Sequence, residues 1–307
     1  MSTMNARNSQ QRAWSALLAS KPAVVLDGAT GTELQRRGVP TPLPLWTADA
    51  ALRAPDVLRQ IHRDYLDAGA DIVTANTFRT SPYTMRKLGR PQSDAVELTR
   101  RSVDVAREAC AQAGHGLVAG SIAPLEDCFH PERVPPGDVL LHEHAKHARD
   151  LAEAGVDLLL VETMNTTREA HDAAQVALET GLPVLVSLVL DPNGSGDPFS
   201  GEDLDVAWAH VRALPIAALL VNCAPTHVVA SALERMDWKD ESRPRGAYAN
   251  LGVENDVDGW TPDTATPAEQ YGAVARTWQS LGARLIGGCC GTTPEHVRAV
   301  AQALATT

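Results

Sequence analysis

Short apolar runs alternate with longer amphipathic segments eight times along the 307 residues of this chain. Apolar runs of about four to eight residues between helical segments are typical of parallel strands buried on both faces. Eight such units without a break predict one α/β domain, a (β/α)₈ TIM barrel, although a doubly wound open sheet uses the same alternation. The predicted strands are 23–26, 72–75, 116–119, 156–161, 183–190, 216–221, 246–251 and 284–286.

The segments between these runs have the caps expected of helices. Several begin with proline or a Ser, Thr or Asp cap, and several end at glycine. No linker rich in proline or serine interrupts the chain, so 1–307 is predicted as a single domain with residues 1–20 as an N-terminal extension. The predicted helices are 55–68, 93–113, 137–154, 167–180, 203–213, 226–236, 267–281 and 294–304.

Composition excludes several classes of protein. The chain carries 38 acidic and 27 basic residues, a formal charge of -11, which disfavours nucleic acid as a partner. Its first residues lack the apolar core of a secretory signal, and its longest apolar run, near 183–190, is too short to span a bilayer. Five cysteines without framework spacing fit a reducing cytoplasm. Composition leaves the oligomeric state open.

Three cysteines follow predicted strands. Cys289 and Cys290 lie between glycines after the last strand, and Cys223 follows the sixth. Adjacent cysteines rarely form a relaxed disulfide, and three thiolates at neighbouring strand ends predict a Zn²⁺ site with its fourth position left for a substrate. Small buried cysteines are the alternative, which we favour for Cys110 in a predicted helix. Cys128, in the irregular loop 126–136, is left out of the ligand set.

Two acidic residues also follow predicted strands directly. Asp27 comes after the first strand and Glu162 after the fourth. The carboxyl ends of barrel strands share one rim, where active-site residues lie. A buried carboxylate there is costly unless it meets a cation, and the ammonium group of a substrate would supply one. A salt bridge to a barrel arginine, or a helix cap, is the alternative.

Two further patterns carry less information. The segment 27–31 contains two glycines but lacks the third glycine of a dinucleotide-binding fingerprint. The segment 142–147, with three histidines, does not have the spacing of the two-histidine metalloprotease motif. We interpret it as a solvated helix face.

A zinc ion with three cysteine ligands and one open position is suited to binding a substrate thiol. Free thiols have a pKa of about 8.5, and coordination removes the proton and leaves a nucleophilic sulfur. Attack on a methyl group then needs alignment and metal activation, without a general base.

The strand-end motifs resemble those of the zinc-dependent homocysteine S-methyltransferases, from about Val24 to Leu304. They are VLDGATGT at 25–32, GADIVTANTF at 69–78, VET at 161–163, VNC at 221–223 and GGCCG at 287–291. The resemblance implies zinc on Cys223, Cys289 and Cys290, with the homocysteine sulfur completing the tetrahedron. It also implies that Asp27, Gly28 and Glu162 hold the amino-acid end of homocysteine with the help of Thr77. Asn222 is a further expected substrate-binding residue.

The chain departs from the family pattern on the side of the methyl donor, at 120–128 and after Asn250. We expect a sulfonium donor, S-methylmethionine or S-adenosylmethionine, and methionine as product. Aromatic rings attract such cations. Another small thiol or selenol as acceptor, or a barrel that only sequesters a thiol, are the alternatives. The expected donor pocket has four aromatic residues, Trp46, Phe78, Phe129 and Trp260, and five acids, Glu126, Asp127, Glu254, Asp256 and Asp258.

Overall fold

Eight parallel strands carry the fold in this computed structural model, which describes residues 3–194, 196–236, 242–253, 260–262 and 266–305. Elements are numbered in chain order. The barrel strands are β1 (Val24–Val25), β2 (Ile72–Ala75), β3 (Leu117–Ile122), β4 (Leu158–Met164), β5 (Val184–Val189), β6 (Ala218–Asn222), β7 (Arg245–Ala249) and β10 (Ala283–Gly288).

The eight strands form a barrel in which each neighbour is parallel. Their order is β1-β10-β7-β6-β5-β4-β3-β2. A bridge between Leu26 and Ile72 joins the two ends, and the Asp27 amide donates to the Ile72 carbonyl at 3.0 Å. This closure confirms the predicted (β/α)₈ barrel and excludes the open sheet.

Each barrel strand is followed by a helix, and all eight predicted helices are present. They are α4 (Pro55–Asp67), α6 (Gln92–Ala113), α7 (Gly137–Ala154), α8 (Thr167–Leu178), α9 (Leu204–Val211), α10 (Thr226–Arg235), α11 (Ala268–Ser280) and α12 (Pro294–Ala305). None of the described helices is both long and apolar enough to cross a membrane. Shorter elements are α2 (Thr30–Arg36), α3 (Ala50–Arg53), α5 (Pro82–Lys87), a 3₁₀ turn (Pro131–Arg133) and the antiparallel pair β8 (Gly252–Val253) and β9 (Thr261–Pro262).

The barrel interior changes from apolar to polar towards the carboxyl ends of the strands. Side chains of a strand alternate between its two faces, so Leu158 and Leu160, which lie in the interior cluster, place Glu162 on the same face. The same alternation carries β6 from Leu220 to Asn222. The uppermost interior layer is therefore polar, and it contains Ser121, Glu162, Ser187, Asn222 and Tyr248.

The segment set apart as an N-terminal extension forms a helix, α1 (Thr3–Ser20), against the barrel. Trp14 is buried and belongs to the apolar cluster that fills the barrel. Arg284, at the start of β10, donates to the Leu18 carbonyl at 2.8 Å, and Gln11 donates to the Gly181 carbonyl before β5 at 3.3 Å. Helix α1 thus covers the amino-terminal end of the strands.

The prediction of a solvated helix face at 142–147 was wrong. Glu143, His144 and His147 are buried. They share the inner face of α7 with Leu140 and Leu151, because residues three and four apart lie on one side of a helix. His144 Nε2 lies 3.0 Å from Glu169 Oε1, which also accepts from the Leu125 amide, so this face supports the loop after β3.

We expect Trp14→Ala to lower the free energy of unfolding by roughly 3–5 kcal/mol, because it leaves a cavity among the barrel side chains. Urea unfolding followed by circular dichroism measures the change. Ser15→Ala, at an exposed position of the same helix, is the matched control and should change stability by less than about 0.5 kcal/mol. Equal stability of the two variants would contradict a role for α1 in the barrel core.

Candidate active site

Three thiols meet at the carboxyl ends of β6 and β10. The sulfurs of Cys223, Cys289 and Cys290 all lie within 4.8 Å of one another, a group that could hold a metal ion. Cys223 has a left-handed backbone with φ of 56°, a conformation that costs energy in a residue other than glycine. Its amide donates to the Tyr248 carbonyl at 3.2 Å, which fixes this strained turn to β7.

The double-cysteine turn depends on the glycine that follows it. Gly291 has φ of 82°, and an added Cβ would lie 1.7 Å from the Leu251 carbonyl oxygen. The close approach lets the Leu251 amide donate to the Cys290 carbonyl at 2.7 Å, while the Thr292 hydroxyl donates to the Cys289 carbonyl at 2.8 Å. Both cysteines are therefore held by backbone contacts that leave their sulfurs available.

The three thiols favour negative charge at their centre. Hydrogen bonds from Cys223 and Cys290 hold the pKa of the Cys289 thiol well below its usual range, and the Asn222 side chain adds to this effect. Soft sulfur donors that share one charge suit a thiophilic cation. Cys128 is buried and lines the same cavity, but its sulfur is outside the three-sulfur group.

Asp27 is buried at the end of β1 and is bound by β2. Its Oδ2 accepts from the Thr74 amide at 2.7 Å, and its Oδ1 accepts from the Thr74 hydroxyl at 3.1 Å. Burial raises the pKa of this carboxyl to about 7 against these hydrogen bonds. Burial therefore disfavours the ionised form of this carboxyl unless a cation lies beside it.

Glu162 is buried where β4 is irregular. The pairing of β4 with β5 shifts register between Val161 and Met164, and bulges of this kind redirect side chains near active sites. The Ser121 hydroxyl donates to Oε1 at 2.6 Å, and the Tyr248 hydroxyl donates to Oε2 at 3.1 Å. Burial, with the negative Cys289 sulfur nearby, raises the pKa of Glu162 to about 8.

Neither acid forms an ion pair with a described residue, so the alternative of a salt bridge to a barrel arginine is not seen. The partners Thr74, Ser121 and Tyr248 were not assigned from the sequence. Ser121 and Tyr248 could have been found from strand parity, because each lies two residues beyond an inward-facing position.

Of the other three expected substrate residues, one lines the cavity and two are buried behind its walls. Gly28 lines the cavity, and an added Cβ would lie 2.8 Å from the Tyr65 ring and from the Thr292 hydroxyl. Thr77 is fully buried, and its hydroxyl binds the β3 backbone by donating to the Ser121 carbonyl and accepting from the Ser121 amide, both at 3.0 Å. Asn222 lies beneath the floor, donating to Thr163 and accepting from Ser187. Neither Thr77 nor Asn222 lines the cavity.

The two acids and the three thiols open into one cavity of about 390 Å³. This volume is near the lower end of the range for small-molecule sites, roughly 300–1,000 Å³, and suits amino-acid-sized substrates. The Trp46 and Phe78 rings meet edge to face with centroids 6.3 Å apart. The four expected aromatic residues, Trp46, Phe78, Phe129 and Trp260, all line the walls.

The expectation of an acidic mouth was wrong for Glu126. Its carboxylate accepts from the Tyr83 hydroxyl at 2.6 Å and pairs with Lys87, away from the cavity. Asp127 does line the cavity. The other three expected acids, Glu254, Asp256 and Asp258, are outside the described residues.

Basic side chains occupy the described part of the mouth. Arg79, His130 and Arg133 line it, on the loops that follow β2 and β3. Arg79 was not predicted as a site residue, although it directly follows the motif that ends at Phe78. A basic residue one position beyond a strand-end motif was the available signal.

We expect the free energy of unfolding of the ligand-free protein to fall between about pH 4.5 and pH 8, because native Glu162 keeps a proton that the unfolded chain releases in this window. Glu162→Gln should show a weaker fall and be more stable than the wild type at pH 8.5. Urea unfolding at pH 5.5, 7.0 and 8.5 measures both. Glu97→Gln, exposed on α6, should behave as the wild type. Equal slopes for wild type and Glu162→Gln would contradict the raised pKa.

Comparison with known proteins agrees with this geometry. A profile of the homocysteine S-methyltransferase family matches residues 24–304. Homocysteine S-methyltransferase YbgG of Bacillus subtilis is 32% identical over 305 residues, covering 93% of this chain and 95% of its own. Selenocysteine methyltransferase of Astragalus bisulcatus is 28% identical, covering 91% of each chain.

Solved structures lead to the same family. The metallated crystal structure of the Escherichia coli homocysteine methyltransferase MmuM superimposes with a TM-score of 0.80 at 29% identity, covering 94% of this chain and 98% of the other. The family profile spans most of the sequence, and the relative from Bacillus subtilis exceeds 30% identity over nearly its whole length. The chain therefore belongs to the homocysteine S-methyltransferase family, as its strand-end motifs predicted.

Proposed function

We propose that this protein is a cytoplasmic enzyme that transfers a methyl group from a sulfonium donor to the sulfur of homocysteine, forming methionine, with one Zn²⁺ bound by Cys223, Cys289 and Cys290. The observation that carries the proposal is that three clustered thiols and two buried carboxylates line one cavity. The thiols suit a metal and a sulfur substrate, whereas the carboxylates suit an ammonium group. Homocysteine carries both of the groups required.

The donor set fits zinc. Zn²⁺ binds cysteine sulfur at about 2.3 Å in a tetrahedron, which places two sulfurs roughly 3.8 Å apart. The three sulfurs already lie within 4.8 Å of one another, so only a small adjustment is needed. Zn²⁺ bound here would keep the acceptor sulfur as a nucleophilic thiolate. Unpaired thiols of this kind persist in the reducing cytoplasm.

Asp27 and Glu162 would bind the ammonium group of the acceptor. Both are buried, and a cation beside them favours their ionised forms, which burial alone disfavours. Thr74, Ser121 and Tyr248 hold the two carboxylates in place before the substrate arrives. The floor of the cavity thus orients the amino-acid end and leaves the sulfur directed to the thiols.

The methyl transfer needs no general base from the protein. A lone pair of the acceptor sulfur forms the new bond to the methyl carbon, and the bond between that carbon and the donor sulfur breaks. The bonding pair stays on the donor sulfur, which becomes a neutral thioether, while the acceptor thiol proton passes to solvent. Aromatic walls at Trp46 and Phe78 would hold the cationic donor by roughly 0.5–2 kcal/mol without bonding to the methyl group.

A selenol acceptor is the second candidate, because the Astragalus relative is a selenocysteine methyltransferase. The same thiol cluster and acids would accept it, although selenocysteine has selenium in place of sulfur and a chain one methylene shorter than that of homocysteine. Direct competition between homocysteine and selenocysteine for one labelled donor separates the two. A higher kcat/KM for selenocysteine than for homocysteine would identify selenocysteine as the acceptor.

We expect the purified protein to contain about one Zn²⁺ per chain, and Cys290→Ser to lose most of it, because a thiolate ligand is removed. Elemental analysis with circular dichroism measures content and folding together. The barrel core does not depend on rim ligands, so the variant should stay folded. Cys110→Ser, half-buried in α6, is the matched control and should keep its zinc. Full zinc content in a Cys289→Ser, Cys290→Ser double variant would sink the assignment.

We expect methionine formation from sulfonium donors when homocysteine is saturating. S-methylmethionine, S-adenosylmethionine, glycine betaine and methyltetrahydrofolate are compared at equal concentration by mass spectrometry, with homocysteine labelled with carbon-13 in its carbon chain. The label distinguishes methylated homocysteine from the methionine that S-methylmethionine itself becomes. The Cys289→Ser, Cys290→Ser double variant supplies the background. Turnover with the folate alone would overturn the sulfonium donor, and turnover with betaine alone would replace the sulfonium by an ammonium cation.

A further inference from the structure

Arg79 places a guanidinium group in the cavity mouth without a carboxylate partner. The residue is half-buried and lines the cavity. Its Nη1 donates to the Glu126 carbonyl oxygen at 3.2 Å, and its guanidinium carbon lies 5.4 Å from the centre of the Phe78 ring. These contacts fix the side chain and leave most of its N–H groups unused. Among the described residues, no carboxylate lies within ion-pairing distance of it.

The neighbouring charges of the mouth are already paired. Lys87 is paired with Glu126, and both His130 and Arg133 lie against Glu132. Asp127, the described acid of the mouth, accepts from the Phe129 amide at 3.0 Å and does not pair with Arg79. In the described part of this wall, Arg79 is therefore the cation without an ion pair, and the Glu126 carboxylate acts on it only at longer range.

The floor and the mouth of the cavity differ in the charge of their side chains. Its floor holds Asp27, Glu162 and the thiol cluster, which bind cationic and metal-linked groups. Its mouth holds Arg79 against the aromatic wall of Trp46 and Phe78. A ligand that spans the aromatic wall and reaches Arg79 carries a cationic centre at one point and an anion at another.

We propose that Arg79 binds the carboxylate of the methyl donor and thereby selects zwitterionic amino-acid sulfoniums over sulfoniums without a carboxylate. The inference rests on the proposed methyl transfer from a sulfonium donor. A planar guanidinium binds a carboxylate through two parallel hydrogen bonds, which fixes direction as well as charge. The contact with the Phe78 ring and the hydrogen bond to the Glu126 carbonyl hold the guanidinium before the donor arrives, so little side-chain freedom is lost on binding.

Arg79 is assigned to the donor because of where it lies. The acceptor is bound at the floor, where both buried carboxylates meet the thiols. Arg79 instead shares a wall with Phe78 and with the loop after β3, the segment where this chain departs from the family pattern. Its role is recognition and positioning, since no reacting atom is near it.

The test pairs a change in the protein with a change in the donor. S-methylmethionine is compared with its carboxamide, which keeps the sulfonium and the amino group but removes the anionic carboxylate. Variants Arg79→Gln and Arg79→Lys are compared with the wild type, and Arg100→Gln, an exposed charge on α6 outside the cavity, is the control. The dissociation constant of each donor is measured by calorimetry without acceptor, KM and kcat with acceptor, and the homocysteine dissociation constant without donor.

We expect Arg79→Gln to raise the dissociation constant and KM for S-methylmethionine about 10- to 100-fold, with kcat little changed at saturation. The carboxamide should bind to the wild type and to Arg79→Gln with the same dissociation constant. The dissociation constant of Arg79→Lys for S-methylmethionine should be intermediate, because lysine keeps the charge but lacks the two parallel N–H donors of arginine. Arg100→Gln should match the wild type.

Three results would overturn the assignment. Equal weakening of both donors would show that Arg79 acts on the fold of the wall, no weakening would show that it has no part in binding, and weaker homocysteine binding would assign it to the acceptor. Absence of turnover in the wild type, with carboxylate-selective binding that still depends on Arg79, would instead refute the proposed methyl transfer and leave this inference standing.

Discussion

The stability of the barrel depends on the polar layer that closes its apolar interior at the carboxyl ends of the strands. Leucines and other apolar side chains fill the lower layers. The next inward-facing position on β4 is Glu162, whose carboxyl is held by Ser121 and Tyr248. Burial without a fixed cation keeps this group close to neutral, which a closed apolar barrel tolerates. The layer is complete without a substrate, and in the function we propose an ammonium group would favour its ionised carboxylate. On that proposal, the same side chains set both stability and recognition.

Positions with unfavourable backbone conformations surround this layer. Thr163 and Cys223 both have a left-handed backbone, with φ of 59° and 56°. Asn222 joins them, since its amide donates to the Thr163 hydroxyl and its side chain lies beside the Cys289 sulfur. Left-handed residues other than glycine persist only where the surroundings fix them, and they concentrate at functional sites. The hydrogen bond from Asn222 to Thr163 ties the residue after Glu162 on β4 to the residue before Cys223 on β6.

The sequence predicts the floor of this cavity well and the rest of the chain less well. Strand ends are read from apolar runs, and closure of the barrel gathers whatever follows them, so Asp27, Glu162 and the thiols could be placed together. Contacts made through helices and loops leave no such periodic mark. Helix α1 was predicted as an extension because Trp14 is surrounded by polar residues in the sequence. His144 was predicted as solvated because the polar character of its segment does not show how α7 packs. Glu126 was expected in the mouth, but a loop residue has no fixed face and pairs with Lys87.

Strand ends are easier to predict than loops for a physical reason, and the same reason distinguishes the binding of the acceptor from the binding of the donor. In the proposed function, acceptor recognition depends on strand ends, whose register is fixed by the hydrogen bonds of the closed barrel. Donor recognition is built on loops, where one residue can turn away while its neighbour turns in, as Glu126 and Asp127 do. A barrel of this kind can therefore keep thiol methylation while its mouth changes the methyl donor. The guanidinium of Arg79, oriented by a ring and a carbonyl, is the charge on which that choice depends here.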